Sequence, residues 1–149
     1  MNTVNVDTPL GRMYISSDGE NITGLRFGSC ESETPDAVLM KAKAELQEYF
    51  AGQRKSFDLP LKPEGTTFQQ SVWHALCEIP YGKTATYGQI AERIGNKKAC
   101  RAVGMANNRN PIAIIIPCHR VIGAGGKLTG YAGGLDKKEF LLELEAQRR

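Results

Sequence analysis

The sequence is poor in the residues that hold metals and build cross-links. Its 149 residues include only two histidines and four cysteines. Cys30, Cys77, Cys100 and Cys118 lie far apart, and no two form a Cys-x-x-Cys pair. That spacing excludes a structural zinc site and a disulfide framework, so no metal is expected and the thiols are expected reduced. Long apolar runs are missing as well. No stretch approaches the roughly 20 residues that cross a bilayer, and the N-terminus has no basic-then-apolar leader pattern. A cytoplasmic location with no membrane partner is therefore expected. Neither sign of charge dominates: 19 Lys and Arg face 16 Asp and Glu. A hydrophobic fraction of 41% is ordinary for a globular chain, here long enough for one domain or a small lobe joined to a larger one.

The near-neutral total hides an uneven distribution. Residues 1–60 carry 6 Lys and Arg against 9 Asp and Glu, a net of −3; residues 61–149 carry 13 against 7, a net of +6. A basic back half suits an anionic partner. The local pattern changes at the same place. Val4 and Val6 alternate with polar residues, Pro9-Leu10-Gly11 and Ser17-Asp18-Gly19 are turn signals, and Met13–Ile15 and Ile22–Phe27 read as further strands. A helix is expected over 35–51, with Pro35 in its first turn and Gly52 ending it. Residues 53–65, with Pro60 and Pro63, read as a linker.

Beyond the linker the chain reads as mostly helical. Thr66 or Thr67 can cap a helix carrying Phe68, Val72, Trp73 and Leu76 on one stripe. Cys77, next to Leu76, is expected in the core, and His74 at the surface or in packing. Thr86-Tyr87-Gly88-Gln89 has capping-box spacing and starts a short helix. Gly95-Asn96 breaks it, and a second helix follows from about Lys98 to Asn107. Two short helices about a glycine turn, with Lys97, Lys98, Arg101 and Arg109 on or near the second, fit either a DNA-binding helix-turn-helix or a plain packing unit. A last helix is expected from about Lys137, with Phe140, Leu141 and Leu144 inward and Glu145 near the inner face. The fold class is thus α/β of the α+β kind: a small sheet lobe over 1–60, then a mostly helical lobe over 61–149 with a helix-turn-helix.

Between these helices lies the segment that carries chemistry. Ile112–Ile116 is apolar enough to read as a buried strand, and Pro117 marks where regular pairing stops. Cys118, His119 and Arg120 follow immediately, three polar groups at the end of a buried element. A thiolate is the nucleophile, whereas a free thiol is only a few per cent ionised at neutral pH. His119 is the obvious base, yet neighbours on a strand point to opposite faces. Either the chain turns at 117–119 or a water relays the proton. Glu145 is the best downstream carboxylate to orient the imidazole. Gly123–Gly134 then holds six of the sixteen glycines, with Tyr131 its only aromatic, and suits either close backbone approach to a ligand or a flexible connector. A nucleophile tied to a DNA-binding unit implies chemistry on a base taken out of the stack.

Several motifs in fixed order carry a resemblance. Gly65-Thr66-Thr67-Phe68-Gln69, Ile79-Pro80-Tyr81-Gly82, Thr86-Tyr87-Gly88, Arg101-Ala102-Val103-Gly104, Asn110-Pro111, Pro117-Cys118-His119-Arg120-Val121 and Gly130-Tyr131-Ala132-Gly133-Gly134 lead to Leu141-Leu142 and Glu145. Over some eighty residues the chain resembles the methylated-DNA–protein-cysteine methyltransferases, the O6-alkylguanine-DNA alkyltransferases; the first sixty resemble the family's RNase H-like lobe in general pattern. The resemblance implies DNA repair by direct reversal. Cys118 would take the alkyl group from O6 of a flipped guanine, with O4 of thymine a second candidate, once per molecule. It implies His119 as base through a water, Glu145 holding the imidazole, Asn110 pinning the turn, and Tyr87 assisting the departing guanine. It assigns DNA contacts to Thr86, Lys98, Arg101, Ala102, Gly104 and Tyr131, with Arg101 entering the duplex. The substrate pocket falls to Val121, Tyr131, Ala132, Gly133 and Lys138. No cofactor is implied; the partner is double-stranded DNA containing O6-alkylguanine, and a monomer is expected. Some members carry a zinc site in the N-terminal lobe, for which this chain lacks the ligands. Two rivals remain: a non-enzymatic alkyltransferase-like DNA binder, against which Cys118 argues, and an ordinary cysteine hydrolase using His74 or His119.

Overall fold

The computed structural model describes residues 1–131 and 133–147. The chain forms two compact units: Met1–Glu64 with Pro111–Ile115, and Gly65–Asn110 with Ile116 onward.

The first unit is an antiparallel sheet, β1 (Asn2–Thr8), β2 (Gly11–Ser17) and β3 (Ile22–Phe27), with helix α1 (Ala37–Phe50) against it. Period-two burial sets the register: Val4 faces Ile15, Val6 faces Met13, and Ile15 faces Leu25. The free edge of β3 is covered in short parallel contacts by Leu61 and Ile112, the latter through Leu25 N donating to Pro111 O and Ala113 N to Leu25 O. Helix α1 packs Leu39, Ala42, Leu46 and Tyr49 inward. It starts later than the sequence implies. Asp36 is the cap, its carboxylate accepting from Leu39 N, so Pro35 lies outside the first turn. The same carboxylate accepts from Asn2 and Ser17, which makes it the better starting point.

The second unit holds α2 (Thr67–Leu76), α3 (Tyr87–Arg93), α4 (Cys100–Asn108) and α5 (Leu135–Gln147). Capping boxes open α2 at Thr66 with Gln69 and α3 at Thr86 with Gln89. Trp73 fixes α2 to α4, its indole N–H donating to Ala106 O at 2.9 Å. Between α3 and α4 Gly95 turns the chain at φ +81°. A two-residue parallel pairing, β4 (Ala85–Thr86) with β5 (Val121–Ile122), sets the start of α3 beside the exit of the Cys-His segment.

Three sequence expectations are corrected. Ile112–Ile116 is buried, as is every residue from Pro111 to Arg120, but it is not a strand. Only Ile112 makes a bridge. Ile115 N then bonds Ala113 O at 2.7 Å around Ile114, whose φ is +70°, and Cys118 N bonds Ile116 O at 2.7 Å around Pro117 (φ −80°, ψ 64°). These are γ-turns, the second of the inverse kind. Apolarity reports burial, and it cannot distinguish a strand from backbone coiled tightly on itself. Cys77 is exposed at the C-cap of α2 rather than core. Phe140 is 39% exposed. The inner face of α5 is Lys138, Leu141 and Glu145, a stripe in which two charges take places expected to be apolar.

Candidate active site

After the turn at Pro117 the chain makes one 3-10 turn, Cys118–Arg120, so the three polar side chains fan out from a coil instead of alternating across a strand. Two asparagines at the end of α4 hold this coil. Asn110 Nδ2 donates to Ile116 O at 2.8 Å, and Asn107 Nδ2 to Cys118 O at 3.3 Å. Asn110 also hydrogen-bonds the Cys118 thiol.

The carboxylate of Glu145 is the hub. Its Oε2 lies 2.6 Å from His119 Nε2. Arg120 grips the same carboxylate twice, Nε to Oε1 at 2.8 Å and Nη2 to Oε2 at 3.0 Å, while its Nη1 donates to Ile79 O at 2.7 Å. Its guanidinium lies 5.7 Å from the centre of the Tyr81 ring, and Gly82 N donates to Glu145 Oε1 at 3.3 Å. Burial would raise the Glu145 carboxyl, but hydrogen bonds from His119 and Arg120 outweigh it and hold the group at about 2. Glu145 is therefore a carboxylate at all ordinary pH.

The opposite holds for His119. Burial pushes it below its ordinary value, Glu145 pulls it back, and the positive charges of Arg120 and Lys138 oppose protonation. The result is a neutral imidazole. Its Nε2–H donates to Glu145, so Nδ1 carries the lone pair. That atom is buried and has no hydrogen-bond partner among the described residues. The Cys118 thiol is 5% exposed; burial raises its pKa, which the Asn110 hydrogen bond and the Lys138 charge partly offset. Thiol and imidazole therefore rest as a neutral pair, awaiting a reaction that draws the proton across.

Lys138 was expected in the pocket wall. It is fully buried, and its ammonium donates to Val121 O, Thr129 O and Gly130 O at 2.5, 2.6 and 3.3 Å. With all three donors used, it ties β5 to the glycine loop. Tyr87 reaches the same loop, its hydroxyl donating to Thr129 O at 3.2 Å and accepting from Thr129 Oγ1. Gly104 leaves room for the Tyr87 ring, since a Cβ there would sit 3.7 Å from it. The Tyr131 hydroxyl is raised well above its ordinary pKa by burial, with Cys118 and Glu145 adding to the effect.

Cys118, His119, Glu145, Asn110, Val121, Tyr131 and Lys138 thus converge, with Tyr87 at the loop. Thr86, Lys98, Arg101, Ala102 and Gly104 lie instead on α3's cap and around α4, where Lys98, Arg101 and Ala102 are exposed. Gly133 is half-buried beside the loop; Ala132 lies outside the described residues. Arg120, Tyr81 and Gly82 stood in the motifs without a role, and Asn107 was passed over. An arginine inside ten consecutive buried residues signals a buried partner, which points to Glu145. Asn107 left no comparable trace. Among the described residues no group of three or more His, Cys, Asp or Glu could hold a metal, and no helix is long and apolar enough to cross a membrane.

The fold and site define a two-part protein in which a buried thiol, base and carboxylate stand behind a helix pair. Comparison with known proteins gives the same class. Residues 67–147 match the DNA-binding domain, and residues 4–63 the ribonuclease-like domain, of 6-O-methylguanine DNA methyltransferase. The chain belongs to this family. It is 58% identical over 147 residues to a methylated-DNA–protein-cysteine methyltransferase of Methanosarcina acetivorans, covering 93% of this chain and 94% of that one. The crystal structure of Mycobacterium tuberculosis OGT in complex with DNA superposes with a TM-score of 0.92 at 50% identity, over 99% of this chain and 94% of that one. Schizosaccharomyces pombe Atl1, solved with damaged DNA containing O6-carboxymethylguanine, matches 55% of this chain and 78% of its own at 36% identity and a TM-score of 0.50.

Proposed function

We propose that this chain repairs O6-alkylguanine in double-stranded DNA by a single irreversible transfer of the alkyl group to Cys118. The observation that carries the reading is the fixed tautomer of His119. With Nε2–H bonded to Glu145 at 2.6 Å, the buried Nδ1 beside Cys118 is the one nitrogen able to accept the thiol proton. Sγ attacks the alkyl carbon, the carbon–O6 bond breaks, and the electron pair leaves with guanine. The thiol proton goes to His119 Nδ1; the imidazolium is stabilised by Glu145, whose charge Arg120 keeps in place. The guanine anion takes a proton at a ring nitrogen, and Tyr87 is the candidate donor once its hydroxyl leaves Thr129.

Chemistry and DNA contacts are assigned to residues 61–149, and residues 1–60 form the supporting lobe. Arg101, exposed on α4, fills the space the base vacates; Thr86, Lys98, Ala102, Gly104 and Tyr131 line the duplex. Val121, Tyr131, Ala132 and Gly133 form the guanine pocket, and Lys138 holds its loop. The protein acts as a cytoplasmic monomer without a cofactor. The thioether product has no hydrolysable carbonyl, and nothing on the ladder of cysteine oxidation and repair reverses it. Mixing the protein with excess duplex carrying labelled O6-methylguanine therefore releases one guanine per protein and stops. Continued release points instead to a turnover enzyme and sinks the reading.

A further inference from the structure

We propose that Asn107 is a positioning residue of the proton transfer: its Oδ1 and His119 Nδ1 together hold one buried water that carries the Cys118 proton to the histidine. The proposal rests on the alkyl-transfer reading above and adds to it a residue that no motif singled out.

Asn107 lies on the last turn of α4 and is 1% exposed. Its Nδ2 donates to the carbonyl of Cys118 at 3.3 Å. Only the NH2 end of an amide can bond a carbonyl oxygen, so the orientation of the side chain is settled and Oδ1 is the other end. That oxygen is buried and has no hydrogen-bond partner among the described residues. The same is true of His119 Nδ1. Buried polar atoms are almost always satisfied by protein or by ordered water. The Cys118 carbonyl carbon is bonded to His119 N, so both lone pairs flank one peptide unit.

Two acceptors cannot bond each other. What serves both is a group with two donors, and a water has two O–H bonds and a lone pair to spare for the Cys118 S–H. The nearest cation cannot substitute, because all three Lys138 donors are spent on backbone carbonyls. Arg120 has its Nε and Nη2 on Glu145 and Nη1 on Ile79 O. The transfer balances: the S–H proton passes to the water, the water's own proton passes to Nδ1, and water is regenerated as Sγ bonds the alkyl carbon. Asn107 Oδ1 fixes the second O–H, so that the first points at the imidazole.

The ionisable groups around the relay are Glu145 and Lys138 on α5, Arg120 on the 3-10 turn and Tyr131 on the glycine loop. None is altered by Asn107→Leu, which keeps similar volume and removes both polar atoms. Three measurements test the proposal. A high-resolution crystal structure of the unmodified protein is expected to show one water within hydrogen-bonding distance of Asn107 Oδ1 and His119 Nδ1. Single-turnover methyl transfer by Asn107→Leu is expected to fall about 10- to 100-fold, the range of one lost proton-transfer aid, with duplex affinity unchanged. The pH curve for alkylation of Cys118 by iodoacetamide is expected to move to higher pH in the variant; mere support of the Cys118 carbonyl would leave it unmoved. A crystal structure with Oδ1 bonded to a protein group or sharing no water overturns the proposal, as does a variant with wild-type transfer and an unmoved curve. Should Asn107→Leu not fold, the crystal structure of the unmodified protein decides alone. Failure of the repair reading would look different, because the unmodified protein would then take no methyl group from DNA even with the water in place.

Discussion

At the scale of single residues the site is a charge arrangement before it is a nucleophile. Arg120 and Glu145 neutralise each other in the interior, and His119 is left neutral between them. A buried pair of this kind is costly to break from one side. Glu145→Gln is expected to lower unfolding stability by about 3–5 kcal/mol in urea titrations, because it strands the Arg120 charge. It also slows alkyl transfer by about 10²-fold or more, since the imidazole loses its fixed tautomer. Normal stability in that variant would mean the guanidinium finds another partner. The sequence reading reached Cys118, His119, Asn110 and Glu145 because each stands in a motif at a recognisable offset. It gave Arg120 no role and placed Lys138 in the pocket wall. What a long cation bonds depends on which carbonyls the fold leaves open, and these come from segments as far off as Ile79.

At the scale of elements, caps and periodicity were legible and the turn was not. Thr86 with Gln89 reads directly as a helix start, and the structure has it. The apolar run was legible as buried and illegible as a pair of γ-turns. Nothing in Ile112–Ile116 announces that Ile114 will take a positive φ, which is rare for a β-branched residue and costs roughly 1–3 kcal/mol. That tight path is what lets Asn110 and Asn107 grip the coil and swing Cys118 and His119 out of a strand's alternation. Two element-level outcomes follow. Thr86→Ala removes the capping box of α3 and is expected to cost about 1 kcal/mol, seen as a lower Tm; no change would show the helix end is held otherwise. Arg101→Ala is expected to weaken transfer from methylated duplex while leaving transfer from a free O6-alkylguanine base intact, because the side chain is exposed on α4 and serves DNA rather than the thiol. Equal loss on both substrates would place Arg101 in the chemistry.

At the scale of the whole molecule, the uneven charge and the buried titratable groups set the response to salt and acid. The +6 excess over residues 61–149 predicts duplex binding that weakens steeply and log-linearly with salt, as phosphate contacts release counterions. A flat response would remove the electrostatic part of the account. Acid acts in two steps. The folded His119 resists the proton that the unfolded chain takes up near 6.5, so stability declines as pH falls below about 6.5. Glu145 is held at about 2 against an ordinary 4.5, so its contribution is complete above 4.5 and is lost as pH falls from there towards 2. Thermal unfolding across that range checks both; a Tm constant from pH 7 to pH 3 would contradict them.

All three scales meet in one claim, that the buried thiol of Cys118 is a single-use alkyl acceptor. Intact-protein mass spectrometry after exposure to duplex containing O6-methylguanine, with Cys118→Ser alongside, tests it most directly. The account predicts a mass gain of one methyl group in the unmodified protein and none in the variant. An unchanged mass in the unmodified protein, or the same gain in Cys118→Ser, would contradict it.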